Sequence, residues 1–199
     1  MRYIHSKGER LQSIFTNPID AIIILAWVIF LLYWGVSAVR INSTNWVVTI
    51  VMAFGLGGLF LLLRYASTLE SVNLSLWHLT LPFAILSVGI VLMGLFVLIW
   101  ARRTLGPNWN ATARTKENQE IVQLGPYRHI RHPMYTGFMA MVLGSAIAYG
   151  HLLGVWILAI FIVGFCVKAT REESILKRTI GRAYEEYWLK TKAFIPFII

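Results

Sequence analysis

Acidic residues are scarce in this chain: nine Asp and Glu stand against eighteen Lys and Arg, and charged residues of both signs make up 14% of its 199 residues. A soluble domain carries roughly 25%, so a water-soluble globule is excluded. Cysteine is nearly missing as well. Cys166 stands alone inside an apolar run, which rules out a disulfide framework. There is no His-Glu-x-x-His, no other metal-ligand spacing and no Gly-x-Ser-x-Gly elbow, so the common signatures of zinc and serine hydrolases are missing and no metal is expected. Gly55, Gly57, Gly58, Gly137 and Gly144 sit inside apolar runs with no strand before them, which indicates close helix packing rather than a dinucleotide loop. His5, His78 and His151 are scattered and receive no role.

What is abundant is apolar: 57% hydrophobic residues, 14% aromatic, mean hydropathy +0.65. The reading is an all-α integral membrane protein with about five transmembrane helices. Span 1 runs from about Pro18 to Val39, with Asn17 as a cap and Pro18 at the first helical position. A mostly polar stretch precedes this span and no small-residue cleavage pattern follows it, so it is expected to stay in the mature protein. Span 2 covers about Trp46 to Leu63 and span 3 about Leu76 to Trp100, with Trp46, Trp77 and Trp100 at the ends where an aromatic belt belongs. After a polar stretch, Ala101 to His132, two shorter runs follow, Pro133 to Tyr149 and Leu152 to Val167. Gly150-His151 joins them, which predicts a tight helical hairpin.

The net charge of +9 would suggest nucleic acid on a soluble protein. Here the basic residues flank apolar runs, so topology and anionic headgroups explain them and no nucleic-acid partner is expected. Five spans put fourteen basic residues on one side and four on the other, whereas merging the last two runs gives eleven against seven. The stronger asymmetry favours five spans with the long loop, the C-terminus and any active site in the cytoplasm, in a bacterial inner membrane or one of ER type. Residues 1–100 form an N-terminal three-span region. Residues 101–199 form a catalytic region of cytoplasmic loop, helical hairpin 133–168 and amphipathic helix 171–190. In that last segment Leu176, Ile180, Ala183, Tyr184, Tyr187 and Trp188 recur at helical spacing, predicting a helix that lies on the membrane or on the loop.

The residues that could carry chemistry gather at the hairpin's polar end. Arg128-His129 and Arg131-His132 lead into its first helix, and Lys168, Arg171, Glu172 and Glu173 leave its second. An abrupt reversal near His151 would make the two clusters neighbours. The helix start at Pro133 and the arginines favour an anion, and the paired glutamates favour an ammonium group, so a zwitterionic amino-acid moiety would match both. Two plainer readings stand beside this one. The Arg-His units could anchor to lipid phosphates, and the glutamates could be ordinary helix-start or salt-bridge residues.

Gly125-Pro126-Tyr127, then Arg131-His132-Pro133-Met134-Tyr135 and Gly137, then Arg171-Glu172-Glu173, then Gly181 with Tyr184 and Tyr187, closing on Pro196, resembles the isoprenylcysteine carboxyl methyltransferase family of integral membrane methyltransferases, which is related to the phospholipid methyltransferases. Leu105-Gly106-Pro107-Asn108-Trp109 is similar to its prokaryotic members. The resemblance spans about Leu105 to Pro196 and implies an S-adenosylmethionine site. It implies that His132, Pro133, Met134 and Tyr135 line the cofactor, with Val122 and Tyr127 beside it. Glu172 and Glu173 take its amino-acid end, and Arg131 and His132 act in catalysis. Gln119 stands where relatives often have histidine. Lys168 stands where a substrate-binding arginine is more usual, and Arg171 competes for that role.

Methyl transfer from a sulfonium mainly requires two reactants to be positioned and water to be excluded. A carboxylate or thiolate acceptor needs no base at neutral pH. An amine would need one, and His129 or His132 could serve. The expected partners are a lipidic or small apolar methyl acceptor and membrane lipids, with no obligatory protein partner. The alternatives are a phospholipid N-methyltransferase, an NADPH-dependent membrane reductase, and a non-catalytic lipid-binding membrane protein.

Overall fold

The computed structural model describes residues 17–40, 74–106 and 121–196, the last three of the first segment by backbone alone. The expected second span, Gln119 and Pro107 to Trp109 lie outside the described residues. Helix α1 is Pro18–Arg40, α2 Leu81–Leu105, α3 Pro133–Tyr149, α4 Leu152–Ile180 and α5 Arg182–Lys190, with a 3-10 turn at Gly125–Arg128 before α3. Asn17 caps α1, its side-chain oxygen accepting the Ile19 N–H at 3.1 Å. Among the described residues three helices are long and apolar enough to cross a membrane: Pro18–Ser37, Leu81–Leu105 and Leu152–Ile180.

Two helices differ from the sequence reading. α2 begins at Leu81, not Leu76, because the preceding stretch is occupied elsewhere: the Leu76 and Trp77 N–H groups donate to Gly150 O, and the Leu152 N–H donates to Leu74 O. The extended segment 74–77 thus clasps the turn between α3 and α4. α2 also continues past Trp100 to Leu105, placing Arg102 and Arg103 in its last turn, where cations suit the dipole. α4 does not stop at Val167. It runs unbroken through Lys168, Glu172 and Glu173 to Ile180, because no glycine or proline interrupts its polar half before Gly181. Gly181, at φ 69°, breaks the expected 171–190 helix in two and starts α5.

The core lies where α1, α2, α3 and α4 meet, around Trp27, Phe30, Leu98, Phe138 and Met141, with Phe161 and Phe165 of α4 packed against it. α2 and α3 approach at backbone distance: a Cβ on Gly137 would stand 2.7 Å from Gly94 O, and one on Gly144 would stand 2.6 Å from Ser87 O. Trp27 of α1 donates its indole N–H to Ser145 Oγ of α3 at 3.1 Å, and Ser145 donates in turn to Met141 O at 2.9 Å. That bond ties α1 to α3 inside an apolar layer, where polar side chains act as specific links between helices.

Candidate functional site

The site forms where the chain enters α3 and where α4 passes it again. α3 and α4 run antiparallel: Ala146 packs on Gly154 near the turn, Phe138 on Phe161 and Phe165 further along, and Tyr135 stacks on Phe165 with ring centroids 4.7 Å apart. Beyond that aromatic layer the two polar clusters meet. The Tyr135 hydroxyl lies 2.8 and 2.7 Å from the two oxygens of Glu172. Arg131 Nε lies 2.7 Å from Glu173 Oε1, and His132 Nε2 lies 3.0 Å from the same oxygen. Both glutamates therefore face the first turn of α3, where the free backbone N–H groups and dipole favour negative charge.

The charges of the two clusters largely serve each other. Arg131, its side chain 7% exposed, pairs with Glu173 and donates through Nη1 to Trp188 O and Thr191 O. Its Nε and Nη1 are thus engaged by the protein itself. Glu173 is used up in the same way, accepting from Arg131 and His132 on one oxygen and from the Trp188 indole on the other at 2.8 Å. Glu172 is held less fully. Besides Tyr135 it has Lys168 Nζ at 3.9 Å and His132 Nδ1 at 3.8 Å. Lys168 is half-exposed and lies over the Tyr135 ring, whereas Arg128, His129 and Arg171 are exposed to solvent.

Tyr127 stands on the 3-10 turn, buried beneath α5. Its carbonyl accepts from the Tyr187 hydroxyl at 2.7 Å, while its own hydroxyl is buried without a hydrogen-bond partner among the described residues. Burial pushes this phenol well above its ordinary pKa, the neighbouring Tyr187 and Glu172 adding to the shift and Arg102 opposing it. The hydroxyl therefore stays protonated and is available to donate. Pro133 is wholly buried, and Met134 and Val122 are half-buried in the same region.

The C-terminal segment closes over the motif through its backbone. Arg131 N–H donates to Lys192 O at 2.8 Å, His132 N–H to Ala193 O at 3.0 Å, and Lys192 N–H to His129 O at 3.2 Å. Thr136 Oγ1 adds a bond to Phe194 O at 2.8 Å, and His132 stacks on Tyr135 with the Phe194 ring tilted against it. Sequence reading misses this strap, along with the roles of Trp188 and Thr191. Backbone pairing leaves no residue signature, and in the sequence Trp188 is one more apolar position on a helical stripe. α5 is tied to the 3-10 turn through the buried Tyr187, whose hydroxyl donates to Tyr127 O.

The family model described as phospholipid methyltransferase matches residues 82–183, just over half of the chain. The chain belongs to that family. Within it, the chain is 27% identical over 115 residues to the protein-S-isoprenylcysteine O-methyltransferase of Schizosaccharomyces pombe, an alignment covering 56% of this chain and 49% of that protein. It is 29% identical over 86 residues to the protein-S-isoprenylcysteine O-methyltransferase B of Arabidopsis thaliana, covering 43% and 44%. The chain spans about half the length of the curated relatives it matches. Its fold is similar to that of a solved eukaryotic intramembrane Ras methyltransferase, isoprenylcysteine carboxyl methyltransferase, with TM-score 0.67, 17% identity, and 92% of this chain and 69% of that one covered. With its apolar helices, this makes the chain a multi-pass membrane protein of a methyltransferase family.

Proposed function

We propose that the chain is an S-adenosylmethionine-dependent methyltransferase working at the cytoplasmic membrane face on a lipid-like or isoprenylcysteine-type carboxylate acceptor. The observation that carries the reading is the meeting of Tyr135 and His132 with Glu172 inside the segment that matches the family model. When bound, the cofactor supplies a methyl group on a positively charged sulfur.

The residues present fit such a molecule. Glu172 keeps a carboxylate at the mouth whose partners, apart from the Tyr135 hydroxyl, are 3.8 Å or more away, leaving it suited to an α-ammonium group. Tyr127 offers a buried, protonated hydroxyl with no partner among the described residues, suited to a nucleoside oxygen or nitrogen. Val122, His132, Pro133, Met134 and Tyr135 would form the walls. Arg131 and Glu173 would shape the site from behind. Lys168, half-exposed at the rim, would steer the acceptor's carboxylate, with Arg171 further out. The aromatic layer of Phe161, Phe165 and Phe138 below Tyr135 would exclude water and face the acceptor's apolar part.

The test is incubation of the purified protein with methyl-labelled S-adenosylmethionine, prenylcysteine analogues and total membrane lipids. Base-labile label on the prenylcysteine analogue is the expected outcome. Base-stable label on phospholipid would replace the acceptor with an amine. Saturable binding of NADPH in place of S-adenosylmethionine, or of neither, would overturn the methyltransferase reading.

A further inference from the structure

Trp188 has no part in the proposed cofactor site, yet it touches three charged side chains beside it. It stands on α5, one turn past Tyr184, and its ring reaches back onto α4. The indole N–H donates to Glu173 Oε2 at 2.8 Å. The ring lies 5.1 Å from the Arg131 guanidinium carbon and 4.0 Å from Lys177 Nζ, both within cation–π range. The Trp188 carbonyl accepts from Arg131 Nη1 at 3.1 Å. Glu173 Oε1 already serves Arg131 and His132, so the indole supplies the second anchor point of the carboxylate.

A carboxylate held by one oxygen can still rotate about its last bond. One held by both oxygens is fixed, and it orients whatever hydrogen-bonds to it. Here the orientated groups are the Arg131 guanidinium and the His132 ring. When His132 Nε2–H donates to Glu173, the other nitrogen, Nδ1, is left facing Glu172 at 3.8 Å. The placement of Trp188 is inconsistent with a simple membrane anchor: the neighbouring Leu189 is 77% exposed, whereas the Trp188 ring is half-buried with its only polar atom turned inward.

We infer that Trp188 is a positioning residue: its indole N–H locks the Glu173 carboxylate, and through it the His132 ring is held in the orientation in which His132, Tyr135 and Glu172 meet a ligand. Its effect on catalysis rests on the proposed function, whereas the lock itself does not. Trp188→Phe keeps an aromatic ring and removes the donor. Glu173→Gln keeps the shape and replaces the acceptor of the indole N–H.

The experiment is nitrogen NMR of full-length protein in detergent, labelled at the indole and imidazole nitrogens, together with steady-state kinetics. The Trp188 indole signal, identified among eight tryptophans by its loss in Trp188→Phe, is expected to move in Glu173→Gln. The His132 imidazole signals are expected to move in both variants. Trp188→Phe is expected to raise the KM for S-adenosylmethionine about tenfold with kcat within twofold of wild type, a split that loss of folded protein would not produce. An indole signal unmoved by Glu173→Gln, a His132 signal unmoved by Trp188→Phe, or an unchanged KM would overturn the inference. Should Trp188→Phe fail to fold, Trp188→Tyr, a second ring without an indole N–H, gives the assignment and the same readings. Should wild-type protein bind no S-adenosylmethionine, the proposed function falls, and the NMR comparison alone decides for or against the lock.

Discussion

Tyr135 and Glu172 hold each other across two antiparallel helices, the phenol hydroxyl 2.8 and 2.7 Å from the carboxylate oxygens. A hydrogen bond to a charged group contributes about 1.5–3 kcal/mol. Tyr135→Phe is therefore expected to lower thermal stability by about that amount and to weaken S-adenosylmethionine binding. Glu172→Gln should keep the fold and lose binding at least tenfold, since an amide does not neutralise an ammonium group. Equilibrium binding of labelled S-adenosylmethionine and melting in detergent check both. Wild-type affinity in Glu172→Gln would remove Glu172 from the site.

The α2–α3 contact makes a second prediction. A methyl on Gly137 would meet Gly94 O at 2.7 Å and Leu98 N at 2.9 Å, both backbone atoms that cannot swing away. Gly137→Ala should force the helices apart and cost about 1–3 kcal/mol. A methyl added to Gly89, on the same helix as Gly94, would meet nothing within 4 Å. Gly89→Ala should be neutral or stabilise by up to about 1 kcal/mol through helix propensity. Equal melting temperatures for the two variants would contradict the close packing.

Trp27 and Ser145 provide a third. Trp27→Phe removes the N–H bonded to Ser145 Oγ but leaves Ser145 donating to Met141 O. Buried hydrogen bonds between membrane helices contribute about 0.6 kcal/mol on average and at most about 1.7. A double-mutant cycle of Trp27→Phe with Ser145→Ala is expected to return a coupling energy in that range. A value of zero would mean that the Trp27–Ser145 bond adds nothing to the hold of α1 on α3.

Alkaline pH provides a fourth. Burial, with Arg131 and the Thr191 hydrogen bond opposing it, pushes the Tyr187 phenol from 10.0 up to about 12. Between those values the unfolded chain releases a proton that the folded chain keeps, so stability falls as pH rises. Well below pH 10 the phenol is neutral in both states and contributes no pH dependence. Tyr187→Phe, which also loses the bond to Tyr127 O, should melt lower at about pH 8 and show a shallower decline between pH 10 and about 12. Melting curves across that range decide it.

Much of this architecture is legible in the sequence because its signals are local. Pro133 and Gly150 bracket α3, and Asn17-Pro18 marks the start of α1, each through a backbone preference that needs no distant partner. The end of α4 is harder to place. A change from apolar to polar side chains at Lys168 marks a change of surroundings, whereas a helix ends where its backbone is interrupted, at Gly181. The meeting of Arg131 with Glu173 follows from the reversal at Gly150-His151. Their mutual neutralisation does not, since it depends on Trp188 and Thr191 arriving from α5 and its end. The strand-like contacts of Leu76 and Lys192 run between main-chain atoms, to which residue identity is nearly blind.

The glycine contacts between α2 and α3 have a dynamic consequence. Two rods pressed together at main-chain distance cannot slide or part without breaking several contacts at once, so they breathe as one body. Among the described helices, α4 is the least held, its apolar face largely uncovered, so any opening beside Glu172 is expected there. Amide hydrogen exchange should accordingly be slowest along Gly94 and Gly137, and should quicken towards Gly181.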